Sequence, residues 1–258
     1  MELRDEYEKQ QKYRKWMEIL ELLPIENNQI IADLGCGTGG FTEIVSEKVK
    51  HVIAVDRNKN LLNNLKEKNI KNINVVENDI SNIGYITDEL DGIFSSFTIA
   101  YFPKDMKKVI ENWVEKLKVG GWIALIEIDD LLRGHQPLSE ENFGKLARYE
   151  EHIKENGIYD FQAGRKIKNI LKRLNMEIIT EKDLEDTELT SSGVMSNEVF
   201  EMWKNRLDRL DINKYYPEKI SQEIKQELLT LFKNPEHQNN TKVKFIAAKK
   251  IYLLNINK

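Results

Sequence analysis

The chain has 258 residues, of which 40% are hydrophobic and 32% charged, and its formal net charge is −4. These values indicate a globular protein with a sizeable core and argue against a strongly basic nucleic-acid-binding protein. A single cysteine excludes an internal disulfide framework, the charged N-terminus lacks the apolar segment of a signal peptide, and the apolar runs are too short for a membrane helix. We therefore expect a cytoplasmic protein that does not enter a membrane.

The first half of the chain predicts a repeated alternation of strands and helices. An amphipathic helix is predicted over residues 3–23, which Pro24 ends. Strands are predicted at 29–34, 51–56, 73–79, 91–98 and 122–128, with helices between them at 39–49, 59–69 and 104–118. This alternation is typical of βαβ units and predicts a parallel sheet with right-handed crossovers.

The second half has a different rhythm. Helices are predicted within 140–155 and over 163–175, and a charged, helical stretch is predicted over 195–233. Two more strands are predicted at 176–186 and 241–254, so that the stretch from 187 to 240 is an insertion between the last two strands.

A glycine-rich segment, IADLGCGTGG, joins the first of these strands to the following helix. Its glycines at 35, 37 and 40 fit the pattern G-x-G-x-x-G, and the absence of a following G-K-[ST] excludes a Walker loop. Two ligands remain: a nicotinamide or flavin dinucleotide, with its pyrophosphate at the helix N-terminus, and S-adenosylmethionine.

Three features favour S-adenosylmethionine. Asp33 places a carboxylate where a ligand ammonium could bind and a phosphate would be repelled. Asp79 ends the third strand, where it can accept a hydrogen bond from an adenine amine while Ile80 packs on the ring. The last two strands do not form a second mononucleotide-binding half. Asp56, after the second strand, does not discriminate, because either ligand would place a ribose there.

The segments DLGCGTGGFT, AVD, ENDI and LKVGGWIALIE, taken in this order, resemble the successive motifs of the class I S-adenosylmethionine-dependent methyltransferases. The resemblance covers residues 28–128. It implies an α/β fold with a seven-stranded, mostly parallel, doubly wound sheet of order 3-2-1-4-5-7-6, helices on both faces and helical lid insertions. Val119 departs from the family, many members of which have proline before the paired glycines.

The resemblance also implies a set of cofactor-binding residues. In the expected site Asp33 and the glycines of the loop line the methionine part, and Asp56 holds the ribose. Asp79 and Ile80 hold the adenine, and Ser96 and Phe97 face the sulfonium. The full set of expected cofactor-binding residues is Asp33, Gly35, Cys36, Gly37, Gly39, Asp56, Arg57, Asp79, Ile80, Ser96 and Phe97. A single methyltransferase domain over 1–258 is expected, with an N-terminal helix or lid at 1–24, a cofactor-binding core at 25–128 and substrate-side insertions at 129–162 and 187–240.

Methyl transfer from a sulfonium is an in-line displacement in which alignment is the main task of the enzyme. A general base is needed only where the acceptor must lose a proton. Residues expected near the acceptor lie beyond the carboxyl ends of the strands: Tyr13, Trp16, Tyr101, Phe102, Tyr159, Asp160 and Arg165. His135 is the candidate general base and Tyr101 a second candidate catalytic residue. The alternatives are a surface-loop histidine for His135 and a solvated helix-face charge for Arg165.

These features predict methyl transfer from S-adenosylmethionine to nitrogen or oxygen of a small molecule, by a monomer or homodimer without a metal site. One alternative is an RNA or protein methyltransferase, which predicts a basic stripe and is disfavoured by the net charge. Another is a non-catalytic protein that binds S-adenosylmethionine as a sensor or scaffold. A dinucleotide oxidoreductase is a remote further alternative.

Overall fold

The computed structural model describes residues 3–251. Seven strands form one sheet: β1 (Ile30–Leu34), β2 (His51–Asp56), β3 (Ile73–Glu77), β4 (Leu90–Ser96), β5 (Leu117–Asp129), β6 (Met176–Leu184) and β7 (Lys242–Lys250). Their order is β3-β2-β1-β4-β5-β7-β6. The pairs among β1 to β5 are parallel, whereas β7 runs antiparallel to both neighbours. The predicted fold class and strand order are confirmed.

Consecutive side chains of a strand point to opposite faces of the sheet. Both faces of this sheet are apolar, and helices cover and bury them both. In β4, Ile93 joins one buried cluster and Phe94 the other, and in β5 Trp122 and Ile123 are divided in the same way. Burial on both sides explains why these strands read as nearly continuous apolar runs rather than as an alternation with polar residues.

Nine helices accompany the sheet within residues 3–251: α1 (Leu3–Gln10), α2 (Trp16–Glu21), α3 (Gly40–Ser46), α4 (Lys59–Lys68), α5 (Met106–Glu115), α6 (Glu140–Glu155), α7 (Gly164–Arg173), α8 (Asn197–Arg209) and α9 (Glu218–Leu231). Short 3₁₀ turns lie at Gln11–Tyr13, Ile99–Tyr101 and Ile212–Lys214. A two-stranded ribbon pairs His135–Gln136 with Gln238–Asn239. None of the helices in the described part of the chain has the length and apolar character needed to cross a membrane.

The structure corrects two predicted helices. The single helix over 3–23 is wrong, because the chain breaks between α1 and α2, where Lys15 has a φ of +24°. At this break the Arg14 side chain turns inward to Asp186 and Glu188. The helical stretch over 195–233 is two helices, α8 and α9, with Pro217 at the N-cap of the second.

The start of the fifth strand also differs from the prediction. The fifth strand begins at Leu117 rather than residue 122, because Leu117 already pairs with Leu90 of β4. The predicted end of the last strand, residues 252–254, lies outside the described residues.

Candidate active site

A cavity of about 710 Å³ lies beyond the carboxyl ends of β1, β2 and β4. The strand order reverses between β1 and β4, which is the position where open α/β sheets bind their ligands. The loops that follow the strands form one wall, which we call the floor. The N-terminal segment from α1 to Arg14, helix α8 and the turn that follows it form a second wall, which we call the roof.

The glycines of the first loop serve two different purposes. All three of Gly35, Gly37 and Gly39 have positive φ, at +77°, +55° and +89°. A Cβ at Gly35 would lie 2.3 Å from Oγ1 of Thr98, and one at Gly39 would lie 2.3 Å from Cγ of Leu65. A Cβ at Gly37 would meet nothing closer than 4.0 Å, so that it would project into the cavity. Gly35 and Gly39 therefore allow the loop to pack, and the backbone of Gly37 faces the space where a ligand can lie.

Asp56 holds this loop in place. Its Oδ2 accepts a hydrogen bond from Gly37 N at 2.9 Å, and its Oδ1 accepts one from Asn58 N at 2.8 Å. A carboxylate has about four lone-pair positions, so two remain for the hydroxyls of a ribose. The neighbouring Arg57 also lines the cavity. Burial raises the pKa of the Cys36 thiol, which makes this residue a protonated part of the loop rather than a nucleophile.

Asp33 lies deeper, at the end of β1. Its side chain is buried, its Oδ2 accepts a hydrogen bond from the hydroxyl of Thr42, and burial raises its pKa to about 7. A nearby cation would favour the ionised form of this carboxyl group, and a phosphate would oppose it. The site therefore suits an ammonium.

The far end of the floor carries Asp79 and Ile80. Oδ1 of Asp79 accepts a hydrogen bond from Ser81 N at 2.7 Å, and the Ile80 carbonyl accepts one from Trp113 Nε1 at 2.6 Å. Both residues line the cavity. Together with Asp33 and Asp56, Asp79 gives the floor three carboxylates. This donor set fits a ligand that carries an ammonium, a ribose diol and an adenine amine.

The turn that follows β4 lies next to Asp33, because β4 is the neighbour of β1 on the side away from β2. Ser96 and Phe97 line the cavity, and Phe97 has a φ of +53°. A fully buried carboxyl group supports this turn, since Glu127 accepts hydrogen bonds from Ala100 N and Ile128 N, both at 3.1 Å. Burial raises the pKa of Glu127 to about 7. Sequence reasoning missed Glu127, although an acid within the apolar run WIALIEI was a visible signal.

Aromatic residues line the cavity next to this turn. Tyr101, Phe102 and Tyr159 all contribute to its surface, and the rings of Tyr101 and Tyr159 meet edge to face at 4.9 Å. Burial raises the pKa of both tyrosines, so their hydroxyls stay protonated at neutral pH. Neither hydroxyl is hydrogen-bonded to another group within residues 3–251, which leaves both available to a ligand.

Sequence reasoning did not find the charged residues of the roof. Oε2 and Oε1 of the buried Glu6 accept hydrogen bonds from Nη1 and Nη2 of Arg209, at 2.6 and 2.7 Å. Arg14, Arg206 and Arg209 line the cavity together with Tyr7. Since these contacts join the first helix to α8, near the other end of the chain, no local pattern could have shown them.

The prediction of His135 as a general base is wrong, and so is its alternative as a surface histidine. The side chain is fully buried outside the cavity, with its ring edge to face with Trp203. Its Nδ1 lies 3.0 Å from Nε2 of His237. Burial lowers the pKa of His135 to about 3, which leaves it neutral at physiological pH.

Two charged residues predicted near the acceptor also lie outside the cavity lining. Asp160 is buried and forms an ion pair with Lys166. Arg165 donates from Nε to Oδ1 of Asp129 at 2.5 Å and from Nη2 to Oδ2 of Asp130 at 2.8 Å. Both side chains are committed to the protein itself, which removes them from the acceptor site.

Two aromatic residues of the N-terminal segment were predicted near the acceptor, and only one of them lines the cavity. Tyr13 lies outside the cavity lining, and its hydroxyl donates to Glu198 at 3.2 Å. Trp16 lines one edge of the cavity, but its ring packs edge to face on Phe41 at 5.9 Å and its Nε1 donates to Gln11 at 2.8 Å. Trp16 is thus largely a core residue.

The chain is similar to known proteins in sequence and in structure. A family model described as a methyltransferase domain matches residues 32–125. A protein of Methanococcus vannielii, named as a probable cobalt-precorrin-6B C(15)-methyltransferase (decarboxylating), is 38% identical over 132 residues, which are 48% of this chain and 68% of that protein. A phosphoethanolamine N-methyltransferase of Triticum aestivum is 31% identical over 115 residues, 43% of this chain. This chain spans only 23% of the length of that relative.

Among solved structures, the fold is similar to that of Haemonchus contortus phosphoethanolamine N-methyltransferase 2, in complex with phosphomonomethylethanolamine and S-adenosylhomocysteine. The TM-score is 0.55 at 19% identity, and the match covers 93% of this chain and 53% of that one. The fold, the glycine loop with its row of carboxylates, and these relatives all indicate the same family. The chain belongs to the class I S-adenosylmethionine-dependent methyltransferases.

Proposed function

We propose that the protein transfers the methyl group of S-adenosylmethionine to a nitrogen atom of a small-molecule acceptor. The observation that carries this proposal is one cavity, of about 710 Å³, with carboxylates on its floor and aromatic and charged side chains around its other walls. Its volume lies within the range of about 300–1,000 Å³ that is typical of small-molecule sites. A roof of two helices suits a compact acceptor better than a polymer.

When bound, the cofactor supplies a methyl group that is activated by a sulfonium. In the proposed site Asp33 holds the ammonium, Asp56 the ribose hydroxyls and Asp79 the adenine amine. Ser96 and Phe97, at the end of β4, lie next to Asp33, and in this proposal they face the reacting centre. Glu127 fixes their turn by accepting a hydrogen bond from Ala100 N. It is thus a positioning residue rather than a catalytic one.

Tyr101 and Tyr159 orient the acceptor in this proposal. Since their hydroxyls stay protonated at neutral pH, they act as hydrogen-bonding groups and not as bases. A neutral amine needs no base before it attacks, and alignment alone can supply about 7–11 kcal/mol. The rings can also attract developing positive charge, by about 0.5–2 kcal/mol. The N-methyltransferase named among the relatives supports nitrogen as the methylated atom.

A macromolecular acceptor is less well supported. Helix α7 begins with three basic residues, Arg165, Lys166 and Lys168, and each of them is paired with an acid of the protein. Lys166 pairs with Asp160, and Lys168 pairs with Glu181. Neutralised lysines add little to phosphate binding, so this helix does not favour an RNA substrate.

Calorimetric titration with S-adenosylmethionine, S-adenosylhomocysteine and NAD tests the cofactor. We expect binding of the first two, and tight binding of NAD alone would overturn the proposal. The acceptor can then be sought by incubating the enzyme and S-adenosylmethionine with a metabolite extract and searching for compounds that gain one methyl group. Cofactor binding without any methylated product would favour the non-catalytic alternative.

A further inference from the structure

We infer that Arg206 binds an anionic group of the acceptor, a carboxylate or a phosphate, and so selects acceptors that carry an amine and an anion. The inference rests on the proposed function, because it names the acceptor class of the same cavity. It follows from a comparison of the three arginines in the roof of the cavity: Arg14, Arg206 and Arg209. The fourth arginine that lines the cavity, Arg57, follows β2 in the floor, beside the proposed ribose site.

Two of these arginines use both terminal nitrogens to bind acids of the protein. Nη1 of Arg14 donates to Asp186, and its Nη2 donates to Glu188 at 3.0 Å. Both terminal nitrogens of Arg209 donate to Glu6. Each of these guanidinium groups therefore has little capacity left for a ligand.

Arg206 differs, because it uses one terminal nitrogen only. Its Nη1 donates to Oε1 of Glu188 at 2.5 Å, and within residues 3–251 its Nε and Nη2 donate to no group of the protein. The face of the guanidinium lies over the Trp203 ring, at 4.6 Å from the centroid. Its remaining N–H groups thus point along the guanidinium plane, in a side chain that is 13% exposed and borders the cavity. Two parallel N–H donors in a plane match a carboxylate or a phosphate.

The surroundings keep this guanidinium charged. Burial would raise the pKa of Glu188, but the charges of Arg206 and Arg14 lower it, so that Glu188 remains a carboxylate. Burial opposes the charge on Arg206 as well, but Glu188 raises its pKa. Arg14 and Arg206 together face two acids, Glu188 and Asp186, so their charges are balanced within the protein. The attraction of Arg206 for an anion in the cavity therefore rests on the N–H groups of Nε and Nη2, which donate to no described group.

Tyrosine hydroxyls stand near the same guanidinium. The charge of Arg206 lowers the pKa of Tyr159 and of Tyr7, against the larger opposing effect of burial. Within the described residues neither hydroxyl is hydrogen-bonded to the protein, and both tyrosines line the cavity. They can donate to the anion that Arg206 binds. Tyr101, whose ring contacts Tyr159, lies on the side of the β4 turn, where the amine would be methylated.

The first test measures the anion site itself. Inorganic phosphate and, separately, acetate are titrated by calorimetry into the protein saturated with S-adenosylhomocysteine. We expect saturable binding of at least one ion, weakened about tenfold or more in Arg206→Gln, as for loss of a charge-assisted hydrogen bond. Arg206→Lys keeps a positive charge beside Glu188, so this variant should fold even if Arg206→Gln does not. We expect its affinity for the ion to be intermediate, because lysine lacks the planar fork of donors. The ion that binds more tightly identifies the anionic group.

Arg209→Lys is the matched control, since it changes an arginine of the same helix whose donors are engaged. We expect its affinity for the ion to change less than about threefold. Absence of saturable binding in the unmodified protein, or equal losses in the Arg206 and Arg209 variants, would overturn the inference. Failure to bind S-adenosylhomocysteine would instead count against the proposed function.

The second test uses the acceptor found in the metabolite extract. We expect it to carry a phosphate or a carboxylate, and its KM to rise about tenfold or more in Arg206→Lys with kcat changed less than about threefold. An acceptor without an anionic group, or a variant that lowers kcat alone, would overturn the assignment of Arg206. If the extract yields no methylated compound, the proposed activity fails and not this inference alone.

Discussion

The floor and the roof of the cavity are built in different ways. The floor consists of side chains that follow β1, β2, β3 and β4 directly, so their place is fixed by the end of a strand. The roof joins the first helix to α8, and ion pairs between distant parts of the chain hold it, such as Glu6 with Arg209 and Arg14 with Glu188.

This difference matches the two ligands that the cavity is proposed to hold. A cofactor shared by a whole family can be bound by groups whose positions the sheet dictates. An acceptor that varies between proteins is better bound by a separate wall, which can change without disturbing the sheet. Two mutations, one in each wall, should therefore affect the two ligands differently.

The largest effect is expected for Asp56→Ala in the floor. The substitution removes the acceptor of the Gly37 and Asn58 amides and the proposed acceptor of the ribose hydroxyls. Hydrogen bonds to a charged group contribute about 1.5–3 kcal/mol each, so the affinity for S-adenosylhomocysteine should fall at least about 100-fold. Calorimetry measures this loss. Asp88→Ala, which removes an exposed acid outside the cavity, is the control. Unchanged affinity in a folded Asp56→Ala protein would remove Asp56 from the ribose site.

A smaller effect, on the acceptor rather than on the cofactor, is expected for Glu6→Gln in the roof. The change leaves Arg209 without its charged partner and loosens the contact between α1 and α8. Because Arg209 is 43% exposed, water compensates part of the loss. We expect the acceptor KM to rise about tenfold, while the affinity for S-adenosylhomocysteine changes less than about threefold.

Glu8→Gln is the matched control for this variant, since Glu8 lies on the same helix in an exposed pair with Arg4. Steady-state kinetics with the acceptor found in the extract, together with cofactor titration, separates the two ligands. Equal losses for cofactor and acceptor would show that the roof is not a separate acceptor wall.

The same difference explains how far the sequence could be interpreted. The alternation of strands and helices predicts where each strand ends, and the carboxyl ends of parallel strands meet at one edge of the sheet. The sequence therefore predicted the positions of Asp33, Asp56 and Asp79. The sheet order followed from the motif resemblance and was confirmed. Glu127 could have been noticed, because an acid inside a buried strand needs partners.

The roof could not be predicted from local patterns. Arg206 lies in a helical segment whose period shows which side chains are buried, but not against which part of the chain. Its partner Glu188 lies in a turn between β6 and α8, which has no helical period. His135 was misplaced for a related reason. It follows β5 at the expected edge, but the ribbon formed with Gln238–Asn239 turns this segment away from the cavity and buries the ring beside His237. The spacing of residues along the sequence does not show long-range pairing of this kind.

Asp33 adds a pH dependence to the floor. Its pKa is raised to about 7, and only the ionised form attracts an ammonium. The affinity for S-adenosylhomocysteine should therefore fall as the pH drops below about 7, approaching tenfold per pH unit at most. Calorimetry between about pH 6 and pH 8 measures this slope, which Asp33→Asn should abolish.

The ligand-free protein should respond in the opposite sense. Because the folded pKa of Asp33 lies above the unfolded value of about 3.9, this group favours unfolding progressively as the pH rises from about 4 to about 7. Asp33→Asn should thus raise the melting temperature of the ligand-free protein at pH 8 while it weakens cofactor binding. A variant that loses both would indicate a structural role only.

The smallest effect on catalysis is expected for His135→Gln, because His135 belongs to neither wall. At neutral pH, kcat should change less than about twofold in the folded variant. Its effect should appear in acid instead. The folded pKa of about 3 lies below the ordinary value of 6.5, so the unfolded chain takes up a proton that the buried ring refuses. Stability from this group is complete above about pH 6.5 and is lost as the pH falls towards 3, by up to about 1.4 kcal/mol per pH unit.

Denaturant unfolding at several pH values measures this slope, which should be shallower in His135→Gln than in the unmodified protein. The substitution also leaves His237 without its imidazole partner, so the absolute stability should fall at every pH and only the slope is diagnostic. A folded variant that binds S-adenosylhomocysteine normally and loses kcat more than about tenfold would return His135 to the chemistry. In that case the segment after β5 would have to reach the cavity during turnover, and the roof would include a third part of the chain.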